Sequence, residues 1–294
     1  MRTFEGSLVA LATPFRRGTL DEEAYARFIE WQIAEGTQGL VPIGTTGEAS
    51  TLSHAERAQA VAIAVATAKG RVPVVAGAGS NSTAETIEGV GRVRDAGADG
   101  ALLVTPYYNK PMQAGLVAHY RAVASAHPKF PLVVYNVPSR TGVDLLPETM
   151  AQLSDVPEVV AIKEATASMI RAIDLVERCG ERFTLLSGDD FTVAPFIGCG
   201  GRGVISVSAN VVPKWMADVV KAMRANDVAK ARELQVKLNR LHQLLFVESN
   251  PIPVKWALAK MGKMQGDLRL PLTELSASNA KAMETELVKM GLLS

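Results

Sequence analysis

The chemistry that this sequence can support centres on a lysine within an apolar run. Lys163 follows Val159 to Ile162, so it lies in a segment that we expect to be a buried strand. Burial disfavours a charged ammonium, and an uncharged amine is the nucleophile that forms a Schiff base with a carbonyl substrate. Side chains alternate along a strand, so Ala161 and Ala165 should share the face of Lys163 and leave room for its long side chain.

Lys163 also has a structural interpretation, in which it pairs with a carboxylate such as Glu164 or Asp189. A second lysine, Lys255, stands in a P-V-K-W-A-L segment that reads as helical and lies beyond the expected strands. Because buried lysines are rare, the position of Lys163 favours catalysis over a structural role.

A tyrosine ends the strand before that of Lys163 and can move the protons that imine chemistry requires. The phenol of Tyr135 is expected within reach of Lys163, and Thr45 and Tyr108 are candidate partners in a proton relay. The alternative is a packed core tyrosine with a satisfied hydroxyl. The convergence of three strand ends favours the relay.

Two further segments suit a small carboxylate. The G-T-T-G turn at residues 44–47 offers backbone amides and two hydroxyls before a helix. Arg140 follows Pro138 on a stiffened loop and is a candidate bidentate carboxylate clamp, with a solvated surface arginine as the alternative.

Composition and missing motifs exclude several other classes of protein. The formal net charge is only +1, which provides no long-range field for nucleic acid or anionic membranes. No H-x-H, H-E-x-x-H or C-x-x-C spacing indicates a zinc site, so we expect no metal. No G-x-S-x-G, Walker A or G-x-G-x-x-G motif follows a strand. The histidines and cysteines that could bind a metal stand far apart along the chain, at His54, His119, His127, His242, Cys179 and Cys199.

The elements that must position these residues alternate between short apolar runs and longer amphipathic segments. Eight runs end in Gly, Thr, Pro, Asn or similar polar residues, a pattern typical of successive β/α units. We therefore predict an α/β protein of the (β/α)8 TIM-barrel class over residues 1–224, with a C-terminal helical extension over 225–294. An open doubly wound sheet is the alternative. The predicted strands are Leu8–Thr13, Gly39–Gly44, Val72–Gly77, Gly100–Thr105, Pro131–Asn136, Val159–Glu164, Phe183–Gly188 and Gly203–Ser208.

Helix signals support this division. An apolar stripe predicts a first helix that ends before Gly36, a residue suited to the C′ position. Ser53 with Glu56, and Ser82 with Glu85, match the S-x-x-E capping box.

Nothing in the sequence indicates export or a membrane anchor. The apolar run near the N-terminus, Leu8 to Ala12, is too short for a signal peptide or a membrane helix. Two cysteines without paired spacing are typical of a reducing compartment. We expect a cytoplasmic protein.

Seven motifs together resemble the dihydrodipicolinate synthase family over almost the whole chain. They are G-T-T-G-E, T-P-Y-Y-N-K-P, Y-N-V-P-S-R-T-G, I-K-E-A-T, S-G-D-D, G-V-I-S-V-S-A-N-V and E-S-N-P-I-P-V-K-W-A-L. The resemblance implies a lyase that condenses pyruvate with L-aspartate 4-semialdehyde in lysine and diaminopimelate biosynthesis, without a cofactor. By this resemblance Lys163 carries the Schiff base, Tyr135 is the proton donor and acceptor, and Thr45 and Tyr108 complete the relay.

The family also implies the substrate contacts and the assembly. Thr46 and the backbone of Ile205 would hold pyruvate, and Arg140 would receive the carboxylate of the semialdehyde. The tyrosine matching Tyr108 reaches across a dimer interface in the family, whose usual assembly is a homotetramer, a dimer of dimers. Related enzymes such as N-acetylneuraminate lyase and sugar-acid aldolases keep the lysine and tyrosine but generally lack the arginine, so Arg140 favours the synthase.

The family's site for feedback inhibition by lysine maps to seven positions: Ala49, Ser50, His54, Arg57, Asn81, Glu85 and Tyr107. Lysine-sensitive members typically carry serine where Ala49 stands and histidine where Arg57 stands. A fixed cation at Arg57 should repel the ammonium of lysine, so we expect weak or absent inhibition.

Two other functions remain to be compared with this one. The first is another pyruvate-dependent class I aldolase or dehydratase that acts on sugar acids. The second is a non-catalytic barrel that serves as a binding or regulatory protein, in which Lys163 would be structural.

Overall fold

Eight parallel strands form the centre of the computed structural model, which describes residues 4–293. The strands are β1 (Gly6–Ala10), β2 (Gly39–Val41), β3 (Val75–Gly77), β4 (Gly100–Val104), β5 (Leu132–Asn136), β6 (Val159–Glu164), β7 (Thr184–Ser187) and β8 (Gly203–Ser206). All eight predicted strands are present, and β6 has the predicted bounds. The others are shorter or shifted: β1, β2, β4, β7 and β8 end earlier than predicted, and β3, β5 and β7 begin later.

Pairing closes the sheet into a ring. Neighbouring strands follow the order β2, β1, β8, β7, β6, β5, β4, β3. A parallel bridge between Leu40 and Val74 joins the two ends of that order. The predicted barrel is therefore confirmed, and the open doubly wound sheet is wrong.

Helices surround the ring and continue beyond it. They are α1 (Glu22–Ala34), α2 (His54–Ala68), α3 (Thr83–Asp95), α4 (Gln113–Ala126), α5 (Pro138–Thr141), α6 (Pro147–Ala151), α7 (Met169–Cys179), α8 (Val193–Gly198), α9 (Pro213–Arg224), α10 (Val228–Leu245), α11 (Ile252–Lys260) and α12 (Ala277–Lys289). The three helices after Arg224 form the helical extension. The division at 224/225 stays a prediction, and its outermost residues, 1–3 and 294, lie outside the described part. Within residues 4–293, no helix is long and apolar enough to cross a membrane.

The barrel interior is filled by small and medium aliphatic side chains, with one inward-facing residue from each strand. They are Leu8, Val41, Val75, Leu102, Val133, Ala161, Leu186 and Ile205. The alternate residues, such as Val9 and Ile162, face outward into a second core beneath the helices. Because Ala161 faces inward, Lys163 also faces inward, one step closer to the mouth of the barrel.

Most predicted helix ends are confirmed. Gly36 follows α1 with a φ of +97°, in the left-handed region that suits glycine. Ser53 and Glu56 form the reciprocal capping box of α2. At α3 the prediction is half wrong: Ser82 caps the helix, but the Glu85 carboxylate accepts a hydrogen bond from Ser80 Oγ at 2.6 Å. That nearer hydroxyl satisfies the carboxylate in place of the Ser82 amide.

A short hairpin was not predicted. Phe15–Arg16 and Thr19–Leu20 pair as antiparallel strands after β1. Strands of two residues carry no periodicity from which to predict them.

Candidate active site

Lys163 lies near the end of β6 and is buried, with 6% of its surface exposed. Its direct partner on β5 is Tyr135, so the two residues stand side by side across one parallel ladder. The Lys163 Nζ atom lies 4.2 Å from the centroid of the Tyr135 ring. The amine and the phenol expected to act together are thus brought together at the mouth of the barrel.

A glycine leaves the space that the lysine side chain occupies. Gly188 follows β7, and a Cβ atom there would lie 3.0 Å from Lys163 Cε and 2.6 Å from Ala165 Cβ. Such contacts are too close for any larger residue without a shift of its neighbours. Gly188 therefore permits a long side chain to lie in the barrel mouth.

The structural alternatives for Lys163 do not hold. Among residues 4–293, no carboxylate lies within ion-pair distance of its amine. Glu164 faces the other side of β6, where it accepts hydrogen bonds from Asn136 Nδ2 at 3.1 Å and the Thr166 amide at 2.7 Å. Asp189 accepts a hydrogen bond from Thr192 Oγ1 at 2.6 Å. Lys255, the competing lysine, is the one that forms a buried ion pair, with Glu48.

A cavity of about 250 Å³ opens above Lys163. Tyr135, Thr45, Thr46 and Arg140 line it, so the structure brings five of the predicted residues to one space. The side chain of Thr46 is buried, whereas Arg140 is exposed at the rim. Within the described residues the Arg140 guanidinium has no hydrogen-bond or ion-pair partner. A free guanidinium at the entrance suits a carboxylate that arrives from solvent.

Two predicted residues stand apart from this cavity. Ile205 is buried in the layer below it, and Val207 rather than Ile205 lines the wall. Tyr108 is 87% exposed with a φ of +73°, and its amide donates to the Thr141 carbonyl at 3.2 Å. Tyr108 is therefore not among the residues that line the cavity of Lys163.

A larger cavity of about 450 Å³ adjoins the first and shares Thr45, Tyr135 and Arg140 with it. Six of the seven positions mapped to lysine inhibition line it: Ala49, Ser50, His54, Arg57, Glu85 and Tyr107. The seventh, Asn81, lies outside the lining, and its carbonyl accepts a hydrogen bond from Asn109.

Arg57 is held in place at the edge of this larger cavity. Its Nε and Nη2 atoms both donate to the Ala49 carbonyl, at 3.0 and 2.6 Å. Burial lowers the pKa of Arg57, and the neighbouring Arg92 lowers it further, while Tyr107 and Glu85 raise it. The two hydrogen bonds to the Ala49 carbonyl hold the guanidinium in place.

Sequence reasoning missed Asn250, which comes from the loop before α11 and lines the small cavity. Its Nδ2 atom donates to Thr46 Oγ1 at 2.9 Å. The only signal was its place in the E-S-N-P-I-P motif, because the residue lies 204 positions from its partner.

The closed β/α barrel and the lysine-lined cavity at its mouth define an enzyme of the aldolase type, within the lyases. Residues 3–290 match the family model described as the dihydrodipicolinate synthetase family. The chain belongs to that family.

Relatives of similar length support the assignment. The chain is 52% identical over 291 residues to the 4-hydroxy-tetrahydrodipicolinate synthase of Nitratidesulfovibrio vulgaris strain Hildenborough, covering 99% of both chains. It is likewise 52% identical over 293 residues to the same enzyme of Anaeromyxobacter dehalogenans strain 2CP-C, again covering 99% of both.

Solved structures of the family share the fold closely. Dihydrodipicolinate synthase from Aquifex aeolicus is similar with a TM-score of 0.96 and 43% identity, over 98% of this chain and 99% of that one. The chloride-inhibited dihydrodipicolinate synthase of Acinetobacter baumannii, solved with pyruvate, is similar with a TM-score of 0.97 and 44% identity. The match covers 99% of this chain and 100% of that one.

Proposed function

We propose that this protein condenses pyruvate with L-aspartate 4-semialdehyde to 4-hydroxy-tetrahydrodipicolinate through a Schiff base on Lys163. The observation that carries the proposal is the buried amine of Lys163, which has no carboxylate partner among the described residues and lies 4.2 Å from the Tyr135 ring. A buried amine that has no ion-pair partner and lines a cavity is placed to attack a carbonyl group that enters that cavity.

The reaction begins with attack of the Lys163 amine on the ketone carbon of pyruvate. The oxygen leaves as water once protonated, and loss of a methyl proton converts the imine to an enamine. Tyr135 gives and takes these protons, and Thr45 together with Tyr108 of a second chain connects it to solvent. Two relatives that are 52% identical to this chain and named 4-hydroxy-tetrahydrodipicolinate synthase support the overall reaction.

The enamine carbon then forms a bond to the aldehyde carbon of the semialdehyde, whose oxygen takes a proton and becomes the 4-hydroxyl group. The amino group of the same substrate attacks the imine carbon and displaces Lys163, which closes the ring. No metal or organic cofactor takes part in these steps.

The polar groups of the site divide between the two substrates. Thr46 and the backbone of Ile205, which lies just below the cavity, hold pyruvate, and Arg140 receives the carboxylate of the semialdehyde at the entrance. The burial of Thr46 and the free, exposed guanidinium of Arg140 support this division.

The proposed assembly is a cytoplasmic homotetramer, a dimer of dimers in which Tyr108 completes the relay of its neighbour. The exposure of Tyr108 in the single chain supports a second chain at this position. Light scattering coupled to size exclusion measures the assembly, and a monomer with full activity would contradict the shared relay.

Intact mass after incubation with pyruvate and borohydride tests the Schiff base. Wild type should gain one reduced pyruvate adduct, Lys163→Ala none, and the exposed-lysine control Lys260→Ala the same adduct as wild type. Assays with the semialdehyde against sugar acids then identify the second substrate. Absence of an adduct on wild type would refute the Schiff base and favour the alternative of a non-catalytic barrel.

A further inference from the structure

A fully buried ion pair joins two distant parts of the chain beside the active site. Lys255 Nζ lies 2.6 Å from Glu48 Oε1, and both side chains are fully buried. Burial lowers the pKa of Lys255, and the facing carboxylate of Glu48 offsets part of that effect. Because withdrawal of two charges from water largely cancels their attraction, such a pair is a poor source of stability. Its position points to another role.

Glu48 is the last residue of the turn that carries the two candidate threonines. Its amide donates to the Thr45 carbonyl at 3.1 Å, and its φ is +53°, a left-handed conformation that is rare for glutamate. Its second carboxylate oxygen, Oε2, accepts from the Arg269 amide at 3.2 Å. The side chain of Glu48 therefore holds the end of the turn against the helical extension.

Lys255 lies on α11, the helix of the extension that begins just after Asn250. Asn250 forms a second link, because its amide donates to Thr46 Oγ1 at 2.9 Å. A hydroxyl that accepts this bond keeps its own proton free to donate into the cavity. Two contacts from one short segment thus act on one turn.

We propose that the Lys255–Glu48 pair is a positioning device, through which the helical extension sets the place and orientation of the turn, and so of Thr46 for the carboxylate of pyruvate and of Thr45 for the proton relay. The proposal deepens the proposed function and rests on it. Lys255 and Glu48 touch neither substrate and act through the turn. A hydrogen-bonded pair of buried charges is directional, so it fixes the position of the turn relative to α11 more closely than apolar packing alone does.

The experiment replaces the pair and measures how pyruvate binds. Lys255→Met keeps the volume and the contact of the side chain with Phe15, whose ring lies 4.3 Å from Lys255 Nζ. Since this variant leaves Glu48 as an unpaired buried charge, the charge-free double variant Glu48→Gln/Lys255→Met is made as well. The control is Lys260→Met. Lys260 lies on the same helix as Lys255, and its substitution removes a half-exposed ion pair with Glu284.

Borohydride trapping at increasing pyruvate gives the half-saturating concentration, and steady-state assays give KM for each substrate. We expect both pair variants to need about tenfold more pyruvate, the effect of losing one well-aligned hydrogen bond to a carboxylate. In the pair variants, KM for the semialdehyde should stay as in wild type. In Lys260→Met, both the half-saturating pyruvate concentration and the KM values should stay as in wild type.

Two results would overturn the proposal. If the pair variants melt earlier but bind pyruvate as wild type does, the pair is only structural. If the parameters of both substrates worsen equally, the pair does not act on the threonine turn in particular. If wild type itself traps no pyruvate, the proposed function is refuted. The same trapping data therefore distinguish failure of the proposed function from failure of the positioning role.

Discussion

Asn136 and Glu164 are direct partners across β5 and β6, one position beyond Tyr135 and Lys163, and Asn136 Nδ2 donates to Glu164 Oε2 at 3.1 Å. The same nitrogen donates to Asp144 Oδ1 at 2.9 Å, and Asn136 Oδ1 accepts from the Leu145 amide. The outer faces of the two strands are therefore bonded together where their inner faces carry the candidate catalytic groups.

This bond predicts the effect of Asn136→Ala. Loss of the cross-strand contact should loosen the alignment of the phenol with the amine, and slow imine formation by about tenfold. Single-turnover trapping with pyruvate measures that rate. Arg121→Ala, which removes an exposed ion pair with Asp155, is the control and should react as wild type does. An unchanged trapping rate in Asn136→Ala would show that packing alone aligns the pair.

The exposed guanidinium of Arg140 predicts a selective effect on the second substrate. Arg140→Ala should raise KM for the semialdehyde and lower kcat, because the bidentate carboxylate contact is lost at the site entrance. The amount of pyruvate adduct trapped at saturation should stay the same, since that step precedes the semialdehyde. Unchanged kinetics for the semialdehyde would remove Arg140 from the proposed site.

Much of the fold and part of the site could be predicted from local patterns. Lys163 and Tyr135 end consecutive apolar runs, and consecutive strands of a β/α barrel are neighbours, so their contact follows from strand order. The inward direction of Lys163 follows from the alternation of side chains along β6.

The contacts of the helical extension could not be predicted in the same way. Asn250 and Lys255 reach partners more than 200 positions earlier, and a segment rich in proline says nothing about which turn it will touch. Glu85 shows a smaller limit, since Ser80 competes with the Ser82 amide for the same carboxylate. Which donor pairs with a given acceptor depends on how close each donor lies in three dimensions, and spacing along the sequence does not give that distance.

Arg57 predicts weak or absent inhibition by lysine. Its guanidinium is fixed on the Ala49 carbonyl, and an added ammonium in the same cavity would face an immobile like charge. The double variant Ala49→Ser/Arg57→His should be inhibited at about tenfold lower lysine, a difference of about 1.4 kcal/mol. Initial rates at increasing lysine measure it for both proteins. Strong inhibition of wild type at submillimolar lysine would contradict the electrostatic argument.

His119 predicts how stability depends on pH. The ring lies buried on α4, where Nδ1 contacts Thr83 Oγ1 at 3.0 Å, and burial lowers the pKa of His119 to about 4. Since the unfolded chain binds this proton at pH values below about 6.5, folding loses stability as pH falls from there to about 4, and loses no more below. The loss from this group is about 3 kcal/mol. Urea unfolding at several pH values between about 4 and 7 gives the free energy of unfolding of wild type and His119→Gln. This free energy should fall less steeply with decreasing pH in the variant. An equal pH dependence in both proteins would show that His119 does not carry the effect.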